Sequence, residues 1–115
     1  MIRASSIAMA LATLAIAATA ADAASFCQQA RHADEHTVCR TPGLVGIDRH
    51  MNREYQQLMS ELGFFGRMRL RARQHEWLAE RRACGNDPIC VRWAYRERKH
   101  AFRSIARHRG IALDD

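Results

Sequence analysis

Four cysteines, Cys27, Cys39, Cys84 and Cys90, constrain this chain more than any other feature, because they follow an N-terminus with the marks of export. Signal recognition needs positive charge, a short apolar stretch and small residues at the cut. Arg3 carries the charge, residues 7–18 are apolar apart from Thr13, and Ala21-Asp22-Ala23 fits the cleavage rule. This pattern predicts a cleavable signal peptide over residues 1–23 and a functional domain over residues 24–115. The apolar run of 12 residues falls short of the ~20 that span a bilayer, and no other segment comes closer. No cysteine stands at the cut, so a lipid anchor is not expected. The expectation is a periplasmic or secreted protein with no stable membrane span.

Export turns an even cysteine count into two expected disulfides. No C-x-x-C pair occurs, and separations of 12 and 6 suit no common zinc pattern, so neither a metal nor a cofactor is expected. Four cysteines allow three pairings. Cys84 and Cys90 flank the tight turn Gly85-Asn86-Asp87-Pro88, and Cys27 and Cys39 bracket a short polar segment. That favours Cys27–Cys39 with Cys84–Cys90; a crossed pairing tying the N-terminal segment to the 84–90 corner stays open. The favoured loops would contribute roughly 3 and roughly 2.4 kcal/mol by loop entropy.

The hydrophobic periodicity is helical throughout. Leu44, Ile47, Met51, Tyr55, Leu58 and Leu62 recur at steps of three and four, which predicts one amphipathic helix ending near Gly63. Phe64-Phe65-Gly66 reads as an apolar corner, and Met68 to about Cys84 as the next helix, with Met68, Ala72, Trp77, Leu78 and Arg81 toward the core. Asp87 and Pro88 suit the cap and first position of a last helix running to about His108, with Val91, Tyr95, Arg98, Phe102 and Ile105 on one face. Asp34 to Cys39 has room for one or two turns before Thr41-Pro42-Gly43 breaks the chain. The predicted class is all-α: a small three-helix bundle with a short cysteine-bracketed N-terminal segment, stapled by disulfides.

The formal net charge is +6, and Lys99 is the only lysine among the cations. Arginine stays charged and grips carboxylate or phosphate in a planar fork. Such a surface favours an anionic envelope component, a wall polymer or lipid, or an acidic protein face. Export removes nucleic acid as a usual target, and no nucleic-acid reading motif is present.

Catalysis finds little support. His32-Ala33-Asp34-Glu35-His36 matches the H-x-x-E-H pattern of some zinc peptidases, but the segment is too short to carry a substrate domain. His50, His75, His100 and His108 are scattered and read as solvated. Ser25, Ser60 and Ser104 lack a triad setting. The chain reads as a binding protein and not as an enzyme.

The order Ser25-Phe26-Cys27, Ala30, Glu35, Val38-Cys39, Leu44, Ile47-Asp48, Tyr55 resembles the first half of the LprI-like lysozyme-inhibitor family. Leu70-Arg71, Gln74, Trp77-Leu78, Arg81, Cys84, Cys90, Tyr95 and Arg98 resemble the second half, and the likeness extends over about residues 25–106. The Q-x-x-W-L-x-x-R-x-x-C run, followed by a second Cys, Tyr and Arg, is its most specific part. The resemblance implies a small exported helical domain, rich in disulfides, that binds a lysozyme-type, cell-wall-degrading enzyme as its protein partner. Read physically, Gln74, Trp77, Arg81 and Cys84 share one helix face, Trp77 is large enough to anchor a core, and Arg81 can pair with Asp48. Tyr95 and Arg98 likewise share a face, so this set is expected to build the fold. The acids available to meet a basic enzyme are Asp34, Glu35, Asp48, Glu54 and Glu61, with Asp114 and Asp115 as a mobile pair.

Overall fold

The computed structural model describes residues 26–114, so the signal peptide expected over residues 1–23 lies outside the described residues. A helical turn at 26–28 leads into four helices: α1 (Ala33–Arg40), α2 (Leu44–Glu61), α3 (Phe64–Ala83) and α4 (Pro88–Arg109). Among the described residues there is no strand, and no helix is long and apolar enough to cross a membrane. The chain is an all-α, disulfide-stapled domain, and both disulfides are the favoured ones. Cys27 pairs with Cys39 across 5.7 Å between Cα atoms, and Cys84 with Cys90 across 5.5 Å.

Local chemistry sets the helix ends. Thr41-Pro42-Gly43 separates α1 from α2, and Gly43 takes φ +84°, which a side chain would resist. Asp87 accepts from the backbone N–H groups of Ile89 and Cys90, with Pro88 in the first turn of α4, as the sequence predicts. Gly110, at φ +66°, ends α4; its N–H bonds to Arg107 O and that of Ile111 to Ala106 O. These two bonds satisfy carbonyls that a bare helix end leaves open.

The short links at Gly63 and at 84–87 make α2, α3 and α4 run up, down and up. Tyr95 accordingly bonds Asp48, and the Phe102 ring meets Tyr55 at 6.3 Å, so α2 and α4 run parallel. Between the helices lies a core of Val38, Leu44, Met51, Leu58, Leu62, Leu70, Trp77, Val91, Tyr95 and Phe102. Deleting one such side chain costs about 2–5 kcal/mol.

Three expectations about the core faces are corrected. Ile47 is exposed, and Asp48 and Glu54 are buried beside Leu44, Met51 and Leu58. On α3, Met68 and Ala72 face solvent, and Leu70 and Gln74 continue the buried line of Trp77 and Arg81. Phe64 and Phe65 are not an inter-helix corner; they form the exposed first turn of α3, stacked edge to face at 5.3 Å. Helix phase explains the two differences on α3. Leu70, Gln74, Trp77 and Arg81 follow one another at steps of four, three and four, a stripe that Met68 and Ala72 leave.

Helix α1 closes the open end of the bundle, where α2 and α4 begin and α3 ends. Few of its residues are apolar, yet Asp34, Thr37 and Val38 are buried. Thr37 Oγ1 lies 2.9 Å from both Ala33 O and Gly85 O; donation of its single proton to Gly85 O ties α1 to the 84–90 corner without a crossed disulfide.

Candidate functional site

The residues carrying the family resemblance meet in the interior. Arg81, on α3, donates from Nε to Asp34 Oδ2 of α1 at 2.7 Å and from Nη1 to Tyr95 Oη of α4 at 2.9 Å. Tyr95 passes the chain on, donating its hydroxyl to Asp48 Oδ1 of α2 at 2.8 Å, and Arg81 Nη1 lies 3.5 Å from the same oxygen. Four helices thus converge on one guanidinium. Its face stacks against the Trp77 and Tyr95 rings, 5.4 and 5.9 Å from their centroids. Trp77 in turn donates from Nε1 to Ala94 O at 2.8 Å.

The expected Arg81–Asp48 pair is therefore present, but the closer partner is Asp34, which sequence reasoning had assigned to the surface. Burial pushes the Asp48 carboxyl above its ordinary value, against the opposing pull of the Tyr95 hydrogen bond and the Arg81 charge. Burial, with the Asp48 charge beside it, drives Tyr95 well above the ordinary phenol range. Burial also works against the charge on Arg81, but the Tyr95 oxygen and Asp34 outweigh it and its pKa rises. One layer further along, Arg98 donates from Nε to Gln74 Oε1 at 2.8 Å and lies over the Phe102 ring at 4.6 Å. Burial lowers its pKa. Arg98 Nη2 and Asp34 Oδ1 are buried with no hydrogen-bond partner.

Most of this network is enclosed, but Tyr95 also lines a cleft between α2 and α4, and Trp77 and Arg98 line a shallow one between α3 and α4. Asp34, Asp48, Arg81, Tyr95 and Arg98 are all buried, and their partners lie within the domain. Its chemistry is that of a polar core in which most groups satisfy one another, Asp34 Oδ1 and Arg98 Nη2 excepted.

The surface feature that sequence reasoning missed is a cleft of about 580 Å³ between the first half of α2 and α4. Gly43, Gly46, Ile47 and Met51 form its α2 side, and Arg92, Arg96 and Lys99 stand along the α4 side. Deeper, Glu54 accepts from His50 Nε2 at 2.6 Å, so His50 is not a solvated bystander as expected. Glu54 Oε2 is buried without a partner. Arg92 is anchored by donating to Pro42 O at 2.9 Å, and Arg96 lies over the exposed Trp93 ring at 5.9 Å. A second, smaller cleft of about 280 Å³ lies on the other side of α4, lined by Arg69, Arg73, His108 and Arg109.

The acids expected at the surface are redistributed. Asp34, Asp48 and Glu54 are buried, Glu35 is half-buried, and Glu61 remains exposed. The Asp114 N–H bonds to Gln57 Oε1 at 3.1 Å, and Gln57 Nε2 donates to Ala112 O at 2.7 Å; Asp115 lies outside the described residues. Among the described residues no group of three or more His, Cys, Asp or Glu is placed to hold a metal; His32 and Glu35 of the H-x-x-E-H run stand 3.9 Å apart. Comparison with known protein families, with curated proteins and with solved structures finds no match for this chain.

Proposed function

We propose that this protein is an exported binding module, without catalytic activity, that holds an anionic envelope polymer on the cationic surface of α3 and α4. The observation that carries this reading is where the charges go. Asp34, Asp48 and Glu54 turn inward, whereas Arg69, Arg71, Arg73, Arg92, Arg96, Lys99 and Arg103 stay exposed. Burial thus strips negative charge from the first half of the domain and leaves the second half positive. The clefts flanking α4 present cations at their walls, and Trp93, more than half exposed, lies among them. An array of this kind attracts polyanions and steers their approach.

The test is binding of the oxidised protein to an anionic wall polymer over a salt series. Contacts screened over a Debye length of about 10 Å at 0.1 M salt weaken steeply as salt rises. Retention at low salt and loss by about 0.5 M supports the reading; no retention at low salt overturns it.

A second reading, inhibition of a lysozyme-type enzyme, rests on the resemblance to LprI-like proteins. The residues that carry that resemblance, Gln74, Trp77, Arg81, Tyr95, Arg98 and Asp48, are buried. They support a shared architecture more than a shared contact surface. A bacterial lysis assay tests it: protection by a molar excess of the protein favours this reading, and unchanged lysis removes it.

A further inference from the structure

We propose that the α2/α4 cleft is a saccharide site that takes a sugar ring bearing a carboxylate or phosphate. The inference rests on the polymer-binding reading above and names the unit of polymer recognised. Three features of the cleft converge on that chemistry.

First, the cleft offers anion-binding charge on one side only. Arg96 and Lys99 stand on the α4 wall and make no ion pair among the described residues. Second, it holds an acceptor in need of a donor. Glu54 is 4% exposed, its Oε1 accepts from His50 Nε2 at 2.6 Å, and its Oε2 has no partner. Buried carboxylate oxygens are rarely left unmatched, and a ligand hydroxyl supplies the missing bond. Third, the α2 wall is apolar and cut back. Ile47 and Met51 present hydrocarbon, and Gly46 presents no side chain at all.

Gly46 is the most telling of these. It lies in the first turn of α2, where glycine is a poorer helix former than alanine. A Cβ built on it meets nothing within 4 Å, and its backbone is not left-handed, so neither packing nor conformation in the fold calls for glycine. Its absent side chain leaves room in the cleft. A pyranose ring combines the three requirements: an apolar face for Ile47 and Met51, a hydroxyl for Glu54, and an acidic substituent for Arg96 and Lys99. A fatty-acid anion has no hydroxyl for Glu54, and a cleft of about 580 Å³ suits one or two sugar units.

The test is calorimetric titration of the oxidised protein with a uronate trisaccharide, its neutral methyl ester, a sugar phosphate and polyglutamate. The uronate binds at least tenfold more tightly than its ester and than polyglutamate per carboxylate; the sugar phosphate arm tells which acid is preferred. Gly46→Leu weakens uronate binding at least tenfold with no fall in Tm, and Lys99→Glu does so by a similar factor. Arg71→Glu, on the exposed face of α3, changes it less than twofold. If Gly46→Leu binds uronate as well as the parent, or polyglutamate binds as tightly as uronate, the saccharide site is wrong while polymer binding by general charge survives. If no anion binds at low salt, both fall.

Discussion

At the end of the bundle closed by α1, Asp34, Asp48, Arg81 and Tyr95 are buried together beside Val38, Leu44 and Val91, whereas at the far end α2, α3 and α4 meet through Leu58, Leu62, Leu70, Phe102 and Ala106 alone among buried side chains. Both ends are equally hidden from water, but they are held by different physics. The apolar end gains from area removed from solvent, is non-directional, and tolerates a change of shape at moderate cost. The polar end gains little net from its ion pairs, because desolvating the charges offsets their attraction. Its stability depends on every member being present. Both disulfides lie at this end, as a chain that closes its core with a short polar helix would need.

The largest effect that separates the two ends is expected from Arg81→Met. It strands Asp34 and Asp48 without their cation and costs about 3–5 kcal/mol in urea unfolding at pH 7. The deficit should shrink toward pH 4, because the raised Asp48 pKa lets that carboxyl protonate early as pH falls and removes its unpaired charge. Leu58→Ala, at the apolar end, should cost about 3 kcal/mol from its cavity, with no change in that deficit between pH 4 and 7. Equal pH dependence in the two variants would erase the distinction.

Removing the first disulfide with Cys27→Ala/Cys39→Ala should cost up to about 3 kcal/mol. Hydrogen exchange should then speed up in α1 while the amides around Leu58 and Phe102 keep their relative protection. The smallest effect is alkaline. The folded Tyr95 pKa is raised, so its contribution is complete below the unfolded tyrosine value near 10 and is lost as pH climbs above it. Stability should fall by up to about 1.4 kcal/mol per pH unit above 10, and Tyr95→Phe should remove that slope from urea unfolding curves.

The features legible in the sequence were those set by local rules. Asp87-Pro88 and Gly110 mark the ends of α4, and the Gln74, Trp77, Arg81 face is buried as one stripe. The disulfide pairing followed from the tight turn at 84–90. What misled was choosing, between adjacent positions that both border the core stripe, the more hydrophobic one. Ile47 beside Asp48 is such a choice; Tyr55 packs against the core as expected, with Glu54 buried next to it. Asp48 goes inside because Tyr95 and Arg81 satisfy it there, and Glu54 because His50 does. Only Tyr95 and Arg81, brought from other helices, were beyond a reading of α2 alone. The α2/α4 cleft was hidden for the same reason, since it joins Gly46 to Lys99 across the fold. A glycine in the first turn of a predicted helix was its one local sign.

The most direct test of the polar end is a double-mutant cycle of Asp34→Leu and Arg81→Met, read by urea unfolding at pH 7. Arg81→Met leaves Asp34 without its cation, and Asp34→Leu leaves Arg81 with Asp48 as its remaining carboxylate. The pair together should therefore be less damaging than the sum, with a coupling of about 1–3 kcal/mol. Additivity within about 0.5 kcal/mol would mean that Arg81 and Asp34 stabilise the fold independently, which contradicts the account.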